Sequence, residues 1–326
     1  MSTIFVDNIK TVSGTDTFKD GQFGGTVNSS ATLSSGLTFA GTTTGVTTPS
    51  TLGAPTGTTA QRPSSPSLGH IRYNSDFNKF EHYNGIGWLN ESNSYNPEQG
   101  GLVFEVDAKH PDSFNSTHDT GSMTVWKNLR GSHWRAISES GPPAFNSSGR
   151  YFDFPNAADR FTIRDDTSEH FIDDYPFSVV IWAWSDPWYG SGFDELFNMS
   201  INGTRVSVGV SDNWTSGGEP MIMYGGAGHW GAGYNSTYFT GGVWHCYVWI
   251  VHASNSSDTK FYLDNANYTL TNRGGAHGGT AGWRIGNNTA GSEGWPGRIA
   301  YVAMYNCTLS ATQVSNIYNA MSPMYA

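Results

Sequence analysis

The clearest pattern of apolar and polar positions lies near the C-terminus, in residues 297–305. These residues alternate as the side chains of a β-strand do, so that Ile299, Tyr301, Ala303 and Tyr305 share one side and Ala300, Val302 and Met304 the other. Because both sides are apolar, we expect the strand to be covered on both faces, as an inner strand of a sandwich is.

A short helix is predicted directly after this strand. Ser310 can cap its first turn, and Gln313, three residues on, can reach back to complete a capping box. Leu309 and Val314 are spaced for the hydrophobic contact that accompanies such a cap. Ser and Asn residues weaken the helix propensity, so we expect the helix to depend on docking of its apolar side.

Aromatic-rich strand patterns recur upstream of this ending. They are 101–108, 126–131, 151–154, 159–163, 177–184, 242–251, 260–264 and 283–286. In this order, and followed by Leu309, Ser310 and Val314, they resemble the laminin-G-like, concanavalin A-like jelly-roll domains. The resemblance implies an all-β sandwich over residues 101–323. It says little about function, since that fold hosts lectins, adhesion modules and glycosidases.

The residues before the jelly roll divide into three segments by composition. Residues 1–22 form an N-terminal segment, and residues 23–67 are rich in Gly, Ser and Thr, with Arg62 as their one charged residue. The composition of this second segment is consistent with two structures. It can form a flexible linker, or the shaft of a trimeric β-fibre in which three chains share a narrow core. Residues 68–92 form a small β-meander with a tight turn at Asn84-Gly85.

The predicted meander is too small to be stable alone. We therefore expect it to associate with other copies or to dock on a neighbour. The residues predicted to mediate oligomerisation are Ile71, Tyr73, Phe80, Tyr83 and Trp88.

The stretch 61–89 also resembles a module of bacteriophage tail-fibre and other virion structural proteins. The matching residues are Arg62, Pro63, Pro66, Gly69, Ile71, Arg72, Tyr73, Asn74, Phe80, Glu81, Tyr83, Gly85 and Trp88. The resemblance implies a homotrimeric virion protein, made in the host cytoplasm and then carried on the particle. It would bind other virion proteins through its N-terminus and host-surface polysaccharide through its jelly roll. A tail fibre is the first interpretation, a capsid-borne fibre or decoration protein the second, and a polysaccharide-degrading enzyme of the same fold the third.

Charge and composition narrow the choice of partners. The net charge is −10 and only 13% of the residues are charged. No basic patch or Lys/Arg run is present, so we expect no nucleic-acid partner. The sequence also contains no apolar run of about 20 residues, so we expect no membrane insertion. Cys246 and Cys307 follow apolar patterns and are expected to be free thiols.

One acidic pair has the spacing of catalytic carboxylates. Glu105 and Asp107 alternate on one strand, as carboxylates of jelly-roll glycosidases do, but Lys109 stands where that pattern needs a third acid. We therefore expect a structural role for the pair and a chain that is not an enzyme. No cofactor is expected and the histidines form no metal pattern. Calcium binding at the sandwich rim is compatible with the sequence, and the candidate ligands are the loop residues Asp112, Asp186 and Asp212.

Two Gly-rich loops are the strongest sequence candidates for glycan binding. Aromatic rings stack on sugar faces, and neighbouring polar groups bond the hydroxyls. The candidate residues are Trp188, Tyr189, His229, Trp230, Tyr234 and Asn235. The alternative is that the aromatic residues pack on the edge of the sandwich, since exposed aromatic side chains on loops are unfavourable unless they bind or pack.

Overall fold

The computed structural model describes the chain in separate ranges. These are residues 8–10, 16–19, 22–23, 54–76, 79–83, 87–90, 96–118, 123–130, 134–138, 143–156, 158–165, 172, 174–185, 193–211, 218–225, 228–233, 242–253, 258–275 and 281–325. The chain divides into two compact units, Met1–Gly53 and Ala54–Ala326. The first contains an antiparallel sheet of β1 (Asn8–Lys10), β2 (Asp16–Lys19) and β3 (Gln22–Phe23).

The second unit begins with a four-stranded sheet, the small sheet. Its strands are β4 (Thr56–Gly57), β5 (Ile71–Asn74), β6 (Lys79–Tyr83) and β7 (Trp88–Asn90), in that order. β5, β6 and β7 follow the predicted meander. β4 comes from the Gly/Ser/Thr-rich segment and pairs in parallel with β5, so residues 54–67 belong to the same unit as the meander.

An ion-pair network joins several of the polar residues in the stretch 61–89. Arg62 Nη2 lies 2.6 Å from Glu81 Oε2, and Asn74 Nδ2 donates to the same oxygen at 3.1 Å. Arg72 Nε lies 3.6 Å from Glu81 Oε1, and the guanidinium groups of Arg62 and Arg72 lie about 6 Å from the Trp88 ring. Glu81 is buried, so these partners replace the water that its carboxylate loses.

The small sheet docks on the end of the chain. Tyr83 and Trp88 are half-buried, and Trp88 helps to line a cavity of about 380 Å³ together with Asn319 and Pro323. Ile71 remains 61% exposed and Phe80 49%, and the half-buried Tyr73 packs edge-on against Phe80. The role of these residues in oligomerisation stays a prediction.

Two antiparallel sheets form the sandwich, which confirms the all-β class. The larger runs in the order β22-β18-β17-β16-β15-β23-β13-β10-β9, and the smaller in the order β11-β12-β24-β14-β19-β20-β21, with β8 also pairing with β24. The strands of the larger sheet are β9 (Thr124–Lys127), β10 (Trp134–Ser138), β13 (Phe161–Asp165), β15 (Phe193–Ile201), β16 (Thr204–Ser211), β17 (Glu219–Tyr224), β18 (Gly228–Gly231), β22 (Thr271–Gly274) and β23 (Arg284–Ile285). Those of the smaller sheet are β8 (Leu102–Asp107), β11 (Ala144–Asn146), β12 (Tyr151–Phe154), β14 (Phe177–Ser185), β19 (Trp244–Val251), β20 (Lys260–Leu263), β21 (Ala266–Thr269) and β24 (Gly297–Tyr305).

Apolar side chains cover the smaller sheet on both faces. Its inner face meets the larger sheet across an aromatic-rich core that includes Trp126, Phe152 and Trp249. Its outer face packs beneath helix α1 (Ala311–Met321), through a cluster that includes Trp182 and Ile317. The strand 297–305 is therefore covered on both faces, as predicted.

The predicted division of side chains along β24 is wrong at its start. A bulge opposite Trp182/Ala183 leaves Ala300 out of the pairing, so that Ile299 joins Val302 and Met304 in the inner core. Tyr301 then faces outward. An extra residue in a strand shifts the alternation by one position, which a strict period of two cannot anticipate.

The predicted cap of α1 is confirmed. The amide of Gln313 donates to Ser310 Oγ at 3.2 Å, and the amide of Ser310 donates to Gln313 Oε1 at 2.9 Å. Leu309 and Val314 are buried in the outer cluster. Three 3₁₀ turns complete the described structure, at Thr59–Gln61, Ser116–His118 and Ser322–Met324. Among the described residues, no helix has the length and apolar character that crossing a membrane requires.

Candidate functional site

The outer face of the larger sheet, which points away from the core, carries a row of mostly polar side chains. Val206, Val208 and Ile222 point into the core, so their neighbours along each strand point outward. The strand register places these outward residues side by side: His229, Met223, Ser207, Asn198, Arg284 and Thr162.

Arg205 joins two carboxylates at the centre of this face. Its Nη2 contacts both Glu195 Oε1 and Glu293 Oε2, and its Nε donates to Ser207 Oγ at 3.0 Å. Asn198 Nδ2 donates to Glu195 Oε2 at 2.9 Å and to Ser207 Oγ at 3.2 Å. We call these five residues the Arg205 cluster.

A hydrogen-bonded loop, residues 287–294, brings Glu293 to the cluster. The amide groups of Gly291 and Ser292 donate to Asn288 Oδ1, and Asn288 Nδ2 donates to Glu293 Oε2 at 3.0 Å. The side chain of Glu293 is 22% exposed, whereas those of Glu195 and Arg205 are almost fully buried. Glu293 is therefore the member of the cluster that solvent or a ligand reaches most easily.

Burial controls the protonation of Glu195. Loss of hydration raises the pKa of Glu195 to about 7, although the ion pair with Arg205 and the hydrogen bond from Asn198 act in the opposite direction. Burial thus favours the protonated form of this carboxyl group, and Arg205 favours the ionised form. Such a group, next to a second carboxylate, is suited to proton transfer.

Asn198 has an unused acceptor. The residue is completely buried, and its Oδ1 accepts no hydrogen bond from any part of the chain that the structure describes. Buried polar atoms normally have a partner, and an enclosed water is the kind of donor that can reach an oxygen without exposed surface.

A second ion pair lies on the same side of β17. Arg273 Nη2 and Nε lie 2.6 and 2.9 Å from Glu219 Oε1, and the amide of Gly233 donates to the same oxygen at 2.6 Å. A Cβ at Gly231 would lie 2.2 Å from this oxygen, so glycine leaves the space that the carboxylate fills. Phe193, Met221 and Met223 form a small apolar cluster beside these groups.

The glycan-binding residues predicted from the sequence are only partly described. His229 lies on the outer face beside Met223, whereas Trp230, one residue on, packs against the core. Consecutive side chains of a strand point to opposite faces, so these two cannot form one binding surface. Trp188, Tyr189, Tyr234 and Asn235 lie outside the described residues.

The acidic pair Glu105 and Asp107 is on the smaller sheet, away from solvent. Glu105 and Asp107 share a face as the alternation predicts, but both are completely buried. Tyr301 Oη donates to Glu105 Oε1 at 3.0 Å, and the amide of Lys109 donates to Asp107 Oδ1 at 2.7 Å. These contacts support the structural role.

Calcium and other metals gain no site from the described residues. Among them, no three His, Cys, Asp or Glu side chains are grouped as metal ligands would be. Asp112 is 74% exposed near His110, and Asp186 and Asp212 fall outside the described ranges. Calcium binding stays a prediction.

The Arg205 cluster was not predicted from the sequence. Two signals pointed to it: acidic residues at 194–195 within an otherwise apolar strand, and the alternation of Arg205 and Ser207 with valines. Both mark an outward polar face. Neither indicates that Glu293, 88 residues after Arg205, meets them.

Comparisons with known proteins give similarity at the level of folds. No protein-family model matches the sequence, and no curated protein matches it. A Trypanosoma rangeli sialidase in complex with the inhibitor DANA shares 14% identity over 70% of this chain and 34% of the sialidase, with a TM-score of 0.49. Domain 4 of AbnA, a GH43 extracellular arabinanase from Geobacillus stearothermophilus in complex with arabinotriose, shares 14% identity over 68% of this chain and 100% of the domain, with a TM-score of 0.40. The binding domain of Paraclostridial Mosquitocidal Protein 1 shares 12% identity over 68% of this chain and 52% of its own length, with a TM-score of 0.42.

These matches correct one expectation. The sequence-based conclusion that the chain is not an enzyme is wrong as a general exclusion, because sialidases and a domain of an arabinanase are among the similar structures. The chain spans about a third of the length of the sialidase, and at such identities the similarity concerns the fold.

Proposed function

We propose that this chain binds glycans through the outer face of the larger sheet, at the Arg205 cluster. The observation that carries the proposal is Glu293, a carboxylate that is 22% exposed at the edge of a network of donors and carboxylates. Sugar hydroxyl groups donate and accept hydrogen bonds at the same atom, so one can donate to Glu293 at this accessible edge. Sites of this kind use a few convergent polar groups to orient their ligand.

The glycan would be carried on a host surface and the protein on a virion fibre. This part of the proposal rests on the resemblance of residues 61–89 to fibre modules, in which the matching residues Arg62, Arg72, Asn74, Glu81 and Trp88 contact one another. We place the chain on a tail fibre, with a capsid-borne fibre or decoration protein as the alternative. Attachment to other virion proteins through the N-terminus and a homotrimeric state belong to the same proposal.

Replacing Glu293 by glutamine tests glycan binding. The Glu293→Gln change removes a charged acceptor from the accessible edge of the cluster, at a cost of about 1.5–3 kcal/mol. We expect the dissociation constant of the best ligand on a glycan array to rise about tenfold or more. Glu98→Gln is the matched control, because Glu98 is also half-buried and accepts from amides, of Gln313 and Asn316. Equal affinity of Glu293→Gln and the unaltered chain would reject this site.

Glycoside hydrolysis is a second candidate function. It is favoured by one observation, the raised pKa of Glu195 next to the carboxyl group of Glu293. In such a reaction the glycosidic C–O bond breaks and the leaving oxygen takes a proton from the Glu195–Glu293 pair through Glu293, its accessible member. Water then adds its hydroxyl group to the anomeric carbon, and its second proton returns to the carboxylate pair. Release of reducing ends from cell-surface polysaccharide measures it. The rate should fall as pH rises through about 7, because the acid form of Glu195 is lost, and Glu195→Gln should abolish it.

A further inference from the structure

The outer face of the smaller sheet carries a second set of half-buried side chains, which lies next to Tyr325 near the C-terminus. The strand register places Trp244, Trp184, Arg298 and Asp153 in one row across four strands. Tyr151 packs beside this row, with its ring centroid 5.6 Å from that of Trp244. We call these five residues the aromatic–arginine site.

Arg298 is held at this site by aromatic rings. Its guanidinium carbon lies 4.0 Å from the centroid of Trp184 and 4.9 Å from that of Tyr151. Its Nε lies 3.4 Å from Asp153 Oδ1, and the two side chains are 31% and 40% exposed. Cation–π contacts therefore fix the plane of the guanidinium and leave its edge toward solvent.

Arg298 differs from the other structural arginines in its hydrogen bonds. Arg62, Arg205 and Arg273 each donate to a carboxylate. Within the described chain, Arg298 donates no hydrogen bond of normal geometry, and its Nε has only the long ion-pair contact with Asp153 Oδ1. An oriented guanidinium with unused donors is an incomplete binding group.

Trp244 offers the aromatic surface that such a site needs. Two rings stack nearly parallel on Trp182, those of Tyr318 at 12° and Tyr325 at 11°. In contrast, the rings of Tyr151 and Tyr325 meet Trp244 at 58° and 49°. Among the described rings, none is stacked on the half-buried Trp244.

We propose that the aromatic–arginine site binds a neutral saccharide. Asp153 can accept from one hydroxyl group while Arg298 donates to its neighbour, and the apolar face of the sugar ring contacts Trp244. Charge selects a neutral ligand: Asp153 offsets the charge of Arg298 locally, and the chain carries a net charge of −10 that disfavours acidic glycans. The inference adds a second site to the proposed glycan-binding function and does not depend on the Arg205 cluster.

Titration of the full chain with three β-1,4-linked neutral hexaoses, of gluco, manno and galacto configuration, tests the proposal. We expect at least one to bind and hexagalacturonic acid to bind at least tenfold more weakly. Arg298→Gln and Asp153→Asn should each weaken binding of the neutral hexaose about tenfold or more, and Arg298→Lys should recover little, because an ammonium group cannot form the paired, planar contacts of a guanidinium. Arg130→Gln is the matched control, since Arg130 is half-buried and hydrogen-bonds Gln99.

Variants at the two sites distinguish this inference from the proposed function. Loss of hexaose binding in Arg298→Gln but not in Glu293→Gln supports the second site, even if the Arg205 cluster binds nothing. Loss in Glu293→Gln alone overturns the inference and leaves the proposed function intact. Failure of all three hexaoses to bind the unaltered chain also overturns it. If Arg298→Gln does not fold, Asp153→Asn decides, because this exposed carboxylate makes a single long ion pair.

Discussion

Asp107 should make the chain less stable at alkaline pH, and asparagine at this position should remove that effect. Burial raises the pKa of Asp107 from 3.8 to about 7, and burial also lowers the pKa of neighbouring Lys109. Asp107 Oδ2 forms no hydrogen bond with any described group, as suits a protonated oxygen more than an ionised one. Because the folded-state pKa lies above the unfolded value, this contribution to stability is complete below about pH 4 and is lost as pH rises through about 7.

The size of the effect follows from the shift. One pKa unit corresponds to about 1.36 kcal/mol, so ionised Asp107 costs the fold on the order of 3–4 kcal/mol at pH 8. The side-chain amide of asparagine would keep an acceptor for the Lys109 backbone N–H without the charge, so Asp107→Asn should raise the melting temperature by roughly 10 °C at pH 8. At pH 5 the folded-state carboxyl is protonated but the unfolded one is already ionised, so about 1.6 kcal/mol of the cost is present and the stabilisation by asparagine should be less than half that at pH 8.

Calorimetry at pH 5 and pH 8 measures this difference. Asp112→Asn serves as the control, because Asp112 is 74% exposed and should change little at either pH. Destabilisation by Asp107→Asn that is equal at both pH values would refute the reasoning, since it would mean that the carboxylate is ionised and well paired. Glu195, whose pKa is also raised, leaves part of the pH dependence in the variant.

Three further predictions concern other parts of the molecule. Glu81→Ala should expose residues 54–92 to limited proteolysis while the sandwich stays folded, because buried Arg72 loses its counter-charge at a cost of about 3–5 kcal/mol; resistance equal to that of the unaltered chain would contradict this. Trp230→Ala should lower the free energy of unfolding by about 2–3 kcal/mol in a denaturant titration, since the indole packs on the core, and an unchanged midpoint would argue for an exposed ring. If the small sheet mediates association, changing the exposed Ile71 and Phe80 to serine should turn an oligomeric full chain into a monomer in light scattering; an oligomer that persists would exclude this surface.

Local signals in the sequence were sufficient for part of the fold, whereas strands such as β15, β16 and β17 were not among the predicted patterns. The capping box of Ser310 and Gln313 forms within one turn, and the hairpins of the small sheet depend on neighbouring residues, so composition and spacing predict them. Apolar residues on both sides of the strand 297–305 likewise predicted two covered faces, because positions that are buried in a sheet are mostly apolar.

Only the tertiary structure decided which side chains meet. The bulge at Ala300 depends on pairing with β14, and it moved Ile299 to the opposite face. Strand register places Arg205 between Glu195 and Glu293 and sets Arg298 between Trp184 and Asp153, although these residues are far apart in sequence. Alternation along a strand predicts which residues point outward, but it does not predict which strand lies beside them. Register is set by pairing and turn geometry across the whole sheet. Some of the elements could therefore be derived from the sequence, and both candidate sites required the fold.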